Sequence, residues 1–502
     1  MASKLLAPSR PSATTIHDQR SYQSRHVFPL LLTILVVVTI AAAAVPNLNL
    51  PLIVLPAVAL LPWIWRRTIR GLYIVFGAAV VIEQLPLRFP DSLTDKVPLF
   101  LNLSNANSSS GLSGIPIAPF EIVLLLVSLI WIAKAISERT ITLPEGPLVT
   151  AYLIFGGIVL MAEVHGMAVG APFNLTLWEL RPQVYAFVAF IFAGSLVRQK
   201  RDVVALAVIL LVGVAFKGAL GSYRYLVTLH GDTGGLDSIM AHEESFFFGL
   251  FLVATLCCLI WLPRRRLLVA LLGASPMVAL ALLENKRRVG ELGLLLGVAV
   301  VMAVAIRFER SQRGRLVLIS LIAIAAYGSI LLLYWDRTSG MGAALARPVS
   351  SMFSPDPRDY LSNIYRVAED ANILATFRSS PVIGVGFGRP MFDIVPMADI
   401  SQIYPLWNII PHNTLLWIGM RMGSIGFIAF WGLIGIAILH AMRELTLTDD
   451  PVVKAVCAFA VAAIVTEIAA GYGDLQLETY RNMILIGTVM GVLAALPRLR
   501  RE

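Results

Sequence analysis

The sequence predicts an all-α integral membrane protein with about 14 transmembrane helices. Three observations predict it. Of the 502 residues, 57% are hydrophobic and only 14% charged, where a soluble globular chain carries about 25% charged residues. Apolar runs of ~18 residues or more recur along almost the whole chain. The segments between those runs fall into two alternating sets, one strongly basic.

A basic, Ser-rich stretch, residues 1–27, reads as an N-terminal tail. The first apolar run, 28–45, is too long for the core of an ordinary signal peptide, and another follows at once, so it reads as a retained span. Further spans are expected near 48–65, 71–87, 117–136, 147–164, 182–197, 203–222, 246–262, 267–283, 291–306 and 315–335. These make an N-terminal membrane region, 28–335. A large loop, 336–411, separates it from a C-terminal membrane region, 412–496, with spans near 413–439, 452–471 and 482–496, and a short tail, 497–502.

One set of connections holds "RRTIR", "RQKRD", "PRRR", "RFERSQRGR", "HAMRELTLTDDP" and both termini. With the stretch around Lys134, it contains most of the chain's 40 Lys and Arg. Cations flanking spans mark the cytoplasmic side, so both termini are expected there. An even number of spans agrees with that. The net charge of +9 is thereby accounted for by membrane orientation, with no nucleic-acid partner implied. The other set, 88–116, 166–181, 223–245, the "ENKRR" turn, 336–411 and 471–481, is expected to face outward. Lys286, Arg287 and Arg288 then stand on the side where cations do not serve orientation; a miscounted upstream span is the alternative.

The outer loop is long enough to expect a function of its own. Within "SNIYRVAEDANILATF", Ile364, Val367, Ala368, Ala371, Leu374 and Ala375 recur at helical spacing, an amphipathic helix suited to the mouth of the bundle. "SPVIGVGFG" follows, where Gly384 and Gly386 allow a tight turn under a ligand or against a helix. The loop ends at "PHN", placing His412 and Asn413 at the start of the next span.

Three features on the outer face describe a site for an anionic group beside a reacting hydroxyl: the Lys286–Arg287–Arg288 turn, Arg366 on the loop helix, and His412. Arginine presents a planar fork of donors to phosphate and stays charged, and a neutral imidazole accepts a proton near pH 7. Each has a plainer reading. Arg366 could pair with Asp370 at i,i+4, and His412 could be an interfacial residue. Lys217 and Arg421 fall inside apolar spans, where ionisable groups are costly and often functional. His242, Glu243 and Glu244 look like a metal or acid–base cluster without a second ligand set. No metal or cofactor is called for. Cys257, Cys258 and Cys457 lie in apolar spans and read as small packing residues.

The order of "NKRRVGELGLLLG", "SNIYRVAEDANILATFRSSPVIGVGFG" and "PHNTLLWIGMRMGSIGFIAFW" resembles the O-antigen ligase and O-antigen polymerase superfamily, most clearly over residues 284–440. These are bacterial polytopic glycosyltransferases with GT-C-like membrane architecture. The resemblance implies a multi-pass protein of the cytoplasmic (inner) membrane with an extracytoplasmic active site. Its donor would be an undecaprenyl-diphosphate-linked glycan and its acceptor a glycan, lipid or protein hydroxyl. It implies pyrophosphate binding by Arg366 and by Arg287 or Arg288, with Lys286 alongside, and help to the acceptor from His412. Asn413, Gly384, Gly386 and Arg421 are expected to support the site, and a chain-length regulator is a candidate partner. Two departures stand out: the basic turn reads Lys-Arg-Arg instead of Ser-Arg, and "RMGSIG" carries Arg421 where many members have a carboxylate. A secondary transporter or lipid-linked-glycan flippase is the rival reading, disfavoured by the single asymmetric loop and the absence of two matching halves.

Overall fold

The structure, a computed structural model, describes residues 61–84, 94, 97, 99–102, 116–138 and 143–500, apart from 234, 237, 338–339 and 403. The described residues form helices α1 (Ile69–Val81), α2 (Pro119–Glu138), α3 (Pro147–Ala168), α4 (Phe173–Leu196), α5 (Lys200–Tyr223), α6 (Glu244–Trp261), α7 (Arg265–Glu284), α8 (Arg288–Phe308), α9 (Arg313–Tyr334), α10 (Met341–Phe353), α11 (Pro357–Ser379), α12 (Thr414–Leu447), α13 (Pro451–Gly473) and α14 (Tyr480–Leu499).

Ten of these are long and apolar enough to cross a membrane: α2, α3, α5–α9 and α12–α14. Each falls on an expected span. The expected span 28–45 and most of 48–65 lie outside the described residues. The span expected at 71–87 corresponds to α1, which stops at Val81. One expected loop needs correction. Residues 166–181 are mostly helix, not connection: α3 runs to Ala168 and α4 begins at Phe173, burying Glu179 and Arg181 along its length, so the connection is 169–172.

Contacts divide the chain into two units, Met1–Val75 with Leu99–Leu143, and Phe76–Pro98 with Pro144–Glu502. In the first, the Lys134 ammonium donates to the Trp65 carbonyl at 2.7 Å, and Gly71 faces the Val127 side chain closely. Everything below concerns the second.

In that unit α14 packs along α4 through Gly487 and Gly491; a Cβ at either would overlap the α4 backbone at Ala186 or Phe190. Small residues four apart let membrane helices approach this closely. By contrast, α9 buries only Leu316 and exposes Ile322, Ile324 and Leu332, as expected of a helix whose solvent is lipid.

The helix ends sort the connections. Lys200 pairs with Asp450 at 2.6 Å, Lys454 with Glu309 at 3.1 Å, and the Trp261 indole donates to Glu309 at 2.9 Å. Four connections of the basic set thus meet at one end. The turn at 285–287, the segment 335–413 and the turn at 474–479 belong to the other.

Two cations inside the bundle are paired with carboxylates. Lys217, fully buried, contacts Glu83 and, at 3.2 Å, Glu244. Arg481 bonds Glu244 at 2.6 Å and Glu243 at 3.3 Å, and its remaining donors reach the Ala79 and Val80 carbonyls. Buried ions persist only when partnered this fully. Lys217, Glu243 and Glu244 are therefore committed to holding helices together.

Segment 380–388 is built into the bundle. Helix α12 breaks at Gly423, whose φ of 65° and ψ of −167° leave the helical region. The loop takes over the interrupted backbone pairing. Val385 and Gly386 amides donate to the Met420 and Arg421 carbonyls at 2.9 and 3.1 Å, and Ser424 donates back to the Pro381 carbonyl at 2.8 Å. Irregular backbone at membrane depth is tolerated when neighbouring protein satisfies it in this way.

Candidate functional site

The basic turn is shaped by a helical hairpin. Asn285 ends α7 fully buried; its amide donates to the Ala241 carbonyl at 3.1 Å and to Ser245 at 2.8 Å, and its oxygen accepts the Met240 amide at 2.8 Å. Lys286 follows with a φ of 54°, a left-handed conformation rare outside glycine and suited to reversing the chain just past a helix end. Arg287 is then extended and Arg288 opens α8. Pinned by Asn285, the tight reversal carries all three cations at its tip.

Helix α11 brings the second group. Asp356 caps it by accepting the Asp359 amide at 2.7 Å, with Pro357 in its first turn. It is the amphipathic helix expected there, and its apolar stripe is not the buried face. Asp359, Glu369, Asn372 and Thr376 are buried, whereas Leu361, Ile364 and Val367 are exposed. The polar face is turned inward because the bundle offers it partners: Asn372 alone accepts two amides, from Ile394 and Val395, and donates to the Val395 carbonyl.

Asn413 caps α12, accepting the Leu416 amide at 3.2 Å, and this fixes His412 immediately before it. Glu369, 1% exposed, accepts from the His412 backbone amide at 3.0 Å and lies 3.1 Å from its Nδ1. The Tyr365 ring meets the imidazole edge-on, 5.8 Å between centroids.

These elements enclose a cavity of about 160 Å³ lined by Lys286, Arg287, Arg288, Arg366 and His412, together with His242, Val289, Asp359, Ser362 and Asp474. All five residues singled out as binding or catalytic therefore share one cavity. Their ties differ. Arg287 is hydrogen-bonded to His242, and the Lys286 ammonium donates to Thr233 at 2.5 Å. Arg288 contacts Asn363 at 3.1 Å and Asp359 at 3.6 Å. Arg366 makes no ion pair with Asp370, which instead accepts from Asn413 at 3.4 Å, and its buried Nε has no hydrogen-bond partner among the described residues. A half-buried guanidinium with an unsatisfied donor, in a cavity with three other cations, favours an anion in that space.

Asp474, with Asp359, supplies negative charge to the cavity. Burial alone would raise its carboxyl, but the nearby His242 and His412 imidazoles and the Arg366 guanidinium hold it below the ordinary carboxylate value. It also accepts from the Leu475 amide and the Gln476 side chain, at 2.9 and 3.0 Å. Burial, with Glu369 close by, raises Asp370 above its usual value.

The remaining predicted residues lie elsewhere. Arg421 is fully buried against Glu179 at 2.6 Å, and its other nitrogens donate to the carbonyls of Gly386, Arg389 and Ile409. Gly384 and Gly386 have φ of 75° and 80°; a Cβ would overlap Arg421 backbone at the first and Gly166 at the second. All three shape the loop against helices and none lines the cavity. His242, Glu243 and Glu244 do not act as a cluster either: the histidine turns to Arg287 and the glutamates to Arg481. Among the described residues no group of three or more His, Cys, Asp or Glu is placed to hold a metal ion.

Glu369 and Asp474 were not singled out from the sequence. Glu369 carries a usable signal, lying three positions after Arg366 on one helix face; Asp474 carries none.

Residues 274–431 match the family model described as O-antigen ligase. The match bears out the resemblance drawn from residues 284–440. It contains the basic turn, α11, the glycine loop and His412, and so every residue predicted for the site. No curated protein matches the chain.

Proposed function

We propose that this chain, a member of the O-antigen ligase and polymerase superfamily through residues 274–431, transfers glycan from an undecaprenyl-diphosphate-linked donor to an acceptor hydroxyl. The observation that carries the reading is the convergence, in one small cavity, of four cations from two separate segments with a carboxylate-oriented histidine.

Arg366 and Arg287 are assigned to the donor pyrophosphate, with Lys286 beside them. Arg288 has a second role because Asp359 and Asn363 already engage it: it fixes the basic turn against α11 and adds positive potential. As the bond from the anomeric carbon to the phosphate oxygen breaks, negative charge grows on the departing diphosphate, where fixed guanidinium groups stabilise it more than they stabilise the bound donor. Glu369 accepts a hydrogen bond from the His412 Nδ1–H, which leaves Nε2 with its lone pair. That nitrogen takes the proton of the acceptor hydroxyl as its oxygen bonds to the anomeric carbon. The products are the extended or transferred glycan and undecaprenyl diphosphate. Displacement in one step inverts the anomeric centre, and arginine supplies the charge that a divalent ion supplies in other transferases.

The orientation that fits this chemistry places the cavity on the extracytoplasmic side of the inner membrane and both termini in the cytoplasm, within a GT-C-like membrane architecture. The acceptor, whether glycan, lipid or protein, separates polymerase from ligase.

The test is reconstitution in proteoliposomes with an undecaprenyl-diphosphate oligosaccharide from the producing organism and EDTA present. The reading expects a longer or transferred glycan with inverted linkage, identified by NMR. Movement of the intact lipid across the bilayer without transfer would replace it with the flippase reading.

A further inference from the structure

Beside the basic cavity lies a larger one of about 760 Å³, inside the roughly 300–1,000 Å³ range of ligand sites. Lys286 lines both cavities. Between them runs the chain Arg288–Asp359–Arg347, whose first two members face the smaller cavity and whose third faces the larger.

The larger wall differs in chemistry. Two aromatic side chains, Tyr225 and Trp335, and the carboxylates Asp232, Glu284 and Glu291 line it. Its cations Lys286 and Arg347 are already engaged, by Thr233 at 2.5 Å and by Asp359 at 3.3 Å; Arg337 is exposed. Glu291, in the first turn of α8, is 7% exposed, and its side chain, unlike its backbone amide, makes no hydrogen bond or ion pair among the described residues. Its carboxyl lines the cavity without a protein donor on it, so its oxygens are open to hydroxyl or ammonium hydrogens from a ligand.

We propose that this cavity is a saccharide subsite that takes uncharged or amino sugars of the glycan and disfavours uronates, with Glu291 as its recognising group. The inference rests on the transfer reading above and adds to it the class of sugar. Sugar hydroxyls supply the donors that Glu291 lacks, the aromatic side chains accept the apolar faces of the rings, and a carboxylate-bearing sugar meets like charge. Lys286, common to both cavities, joins the sugar to the diphosphate it is leaving.

The test is saturation-transfer NMR on the full chain in lipid nanodiscs with four probes: chitotriose, its fully de-N-acetylated trimer, trigalacturonate and inorganic pyrophosphate. Chitotriose and the amino trimer should bind, the amino trimer more tightly, and trigalacturonate should not. Glu291→Gln should weaken the amino trimer about tenfold, as loss of a charged hydrogen bond does, while pyrophosphate binding is unchanged. Ala344→Trp, which fills the cavity, should abolish sugar binding. Trigalacturonate binding as well as the amino trimer, no sugar binding at all, or sugar binding indifferent to Glu291→Gln would each overturn the subsite. Sugar binding without pyrophosphate binding would instead count against the donor site and leave the subsite standing.

Discussion

Glu369 grips His412 at two points, accepting its backbone N–H at 3.0 Å and lying 3.1 Å from its ring Nδ1. The first contact anchors the backbone just before the Asn413 cap of α12, and in the proposed reading the second keeps the proton on Nδ1 and leaves Nε2 as the base. One buried carboxylate thus couples the start of a span to the tautomer of the proposed catalytic group.

Glu369→Gln separates these roles. The amide retains a carbonyl for the backbone contact but is a poor partner for an imidazolium that develops during the reaction. The expected result is a fall in kcat of about a hundredfold or more, within the range attributed to acid–base help, with KM nearly unchanged. Steady-state transfer kinetics measure it, and an equal change in KM would assign Glu369 to binding instead.

Arg366→Ala removes charge-assisted hydrogen bonds to the diphosphate, each worth about 1.5–3 kcal/mol. Inorganic pyrophosphate should bind at least ~10-fold more weakly, with partial recovery in Arg366→Lys, which keeps the charge and loses the fork. Calorimetric titration in detergent reads both; binding equal to wild type in Arg366→Ala would move the donor site.

Asp474 predicts a pH dependence. Burial opposes its ionisation, yet His242, His412 and Arg366 hold its folded pKa below the unfolded value. A depressed carboxylate stabilises the fold fully above the unfolded value, about 3.9, and loses that contribution as pH falls through the folded value. Wild type should therefore melt above Asp474→Asn at pH 6, and the Tm gap should close below about pH 4. A gap that persists at the lowest pH would show that packing, not charge, sets it.

Gly384→Ala tests the loop that repairs the break in α12. Its left-handed φ costs roughly 1–2 kcal/mol with a Cβ present, and overlap with the Arg421 backbone adds about 1–3 kcal/mol more. Gly432→Ala is the control, because nothing lies near its Cβ and alanine favours a helix by up to about 1 kcal/mol. Thermal unfolding in detergent should show a clear loss for the first and no loss for the second.

The features legible in the sequence were those that depend on local chemistry. Runs of apolar residues located ten spans, because lipid demands length and hydropathy from each helix separately. The basic turn was legible as charge out of place for orientation, and Arg366 and His412 as a phosphate-binding and a proton-accepting residue type on the same outer segment. Where the partner lies far along the chain, reading failed. The loop expected over 166–181 ran too far because Glu179 lies inside a helix, where it is neutralised by Arg421, 242 positions away. The same distant pairing explains Arg421, whose charge inside a span serves the loop carbonyls instead of a substrate. For helix α11 the amphipathic pattern was legible but not the buried face: Glu369 and Asn372 are buried because they have partners that only the folded bundle supplies.

The central claim is that His412, held by Glu369, accepts the acceptor's proton while the arginines hold the diphosphate. The most direct measurement is the single-turnover transfer rate of His412→Ala against wild type in proteoliposomes, with pyrophosphate affinity measured on the same preparations. The account predicts a rate lowered by about 10²–10⁴-fold with pyrophosphate affinity retained. A variant that binds pyrophosphate and transfers glycan at the wild-type rate would contradict it.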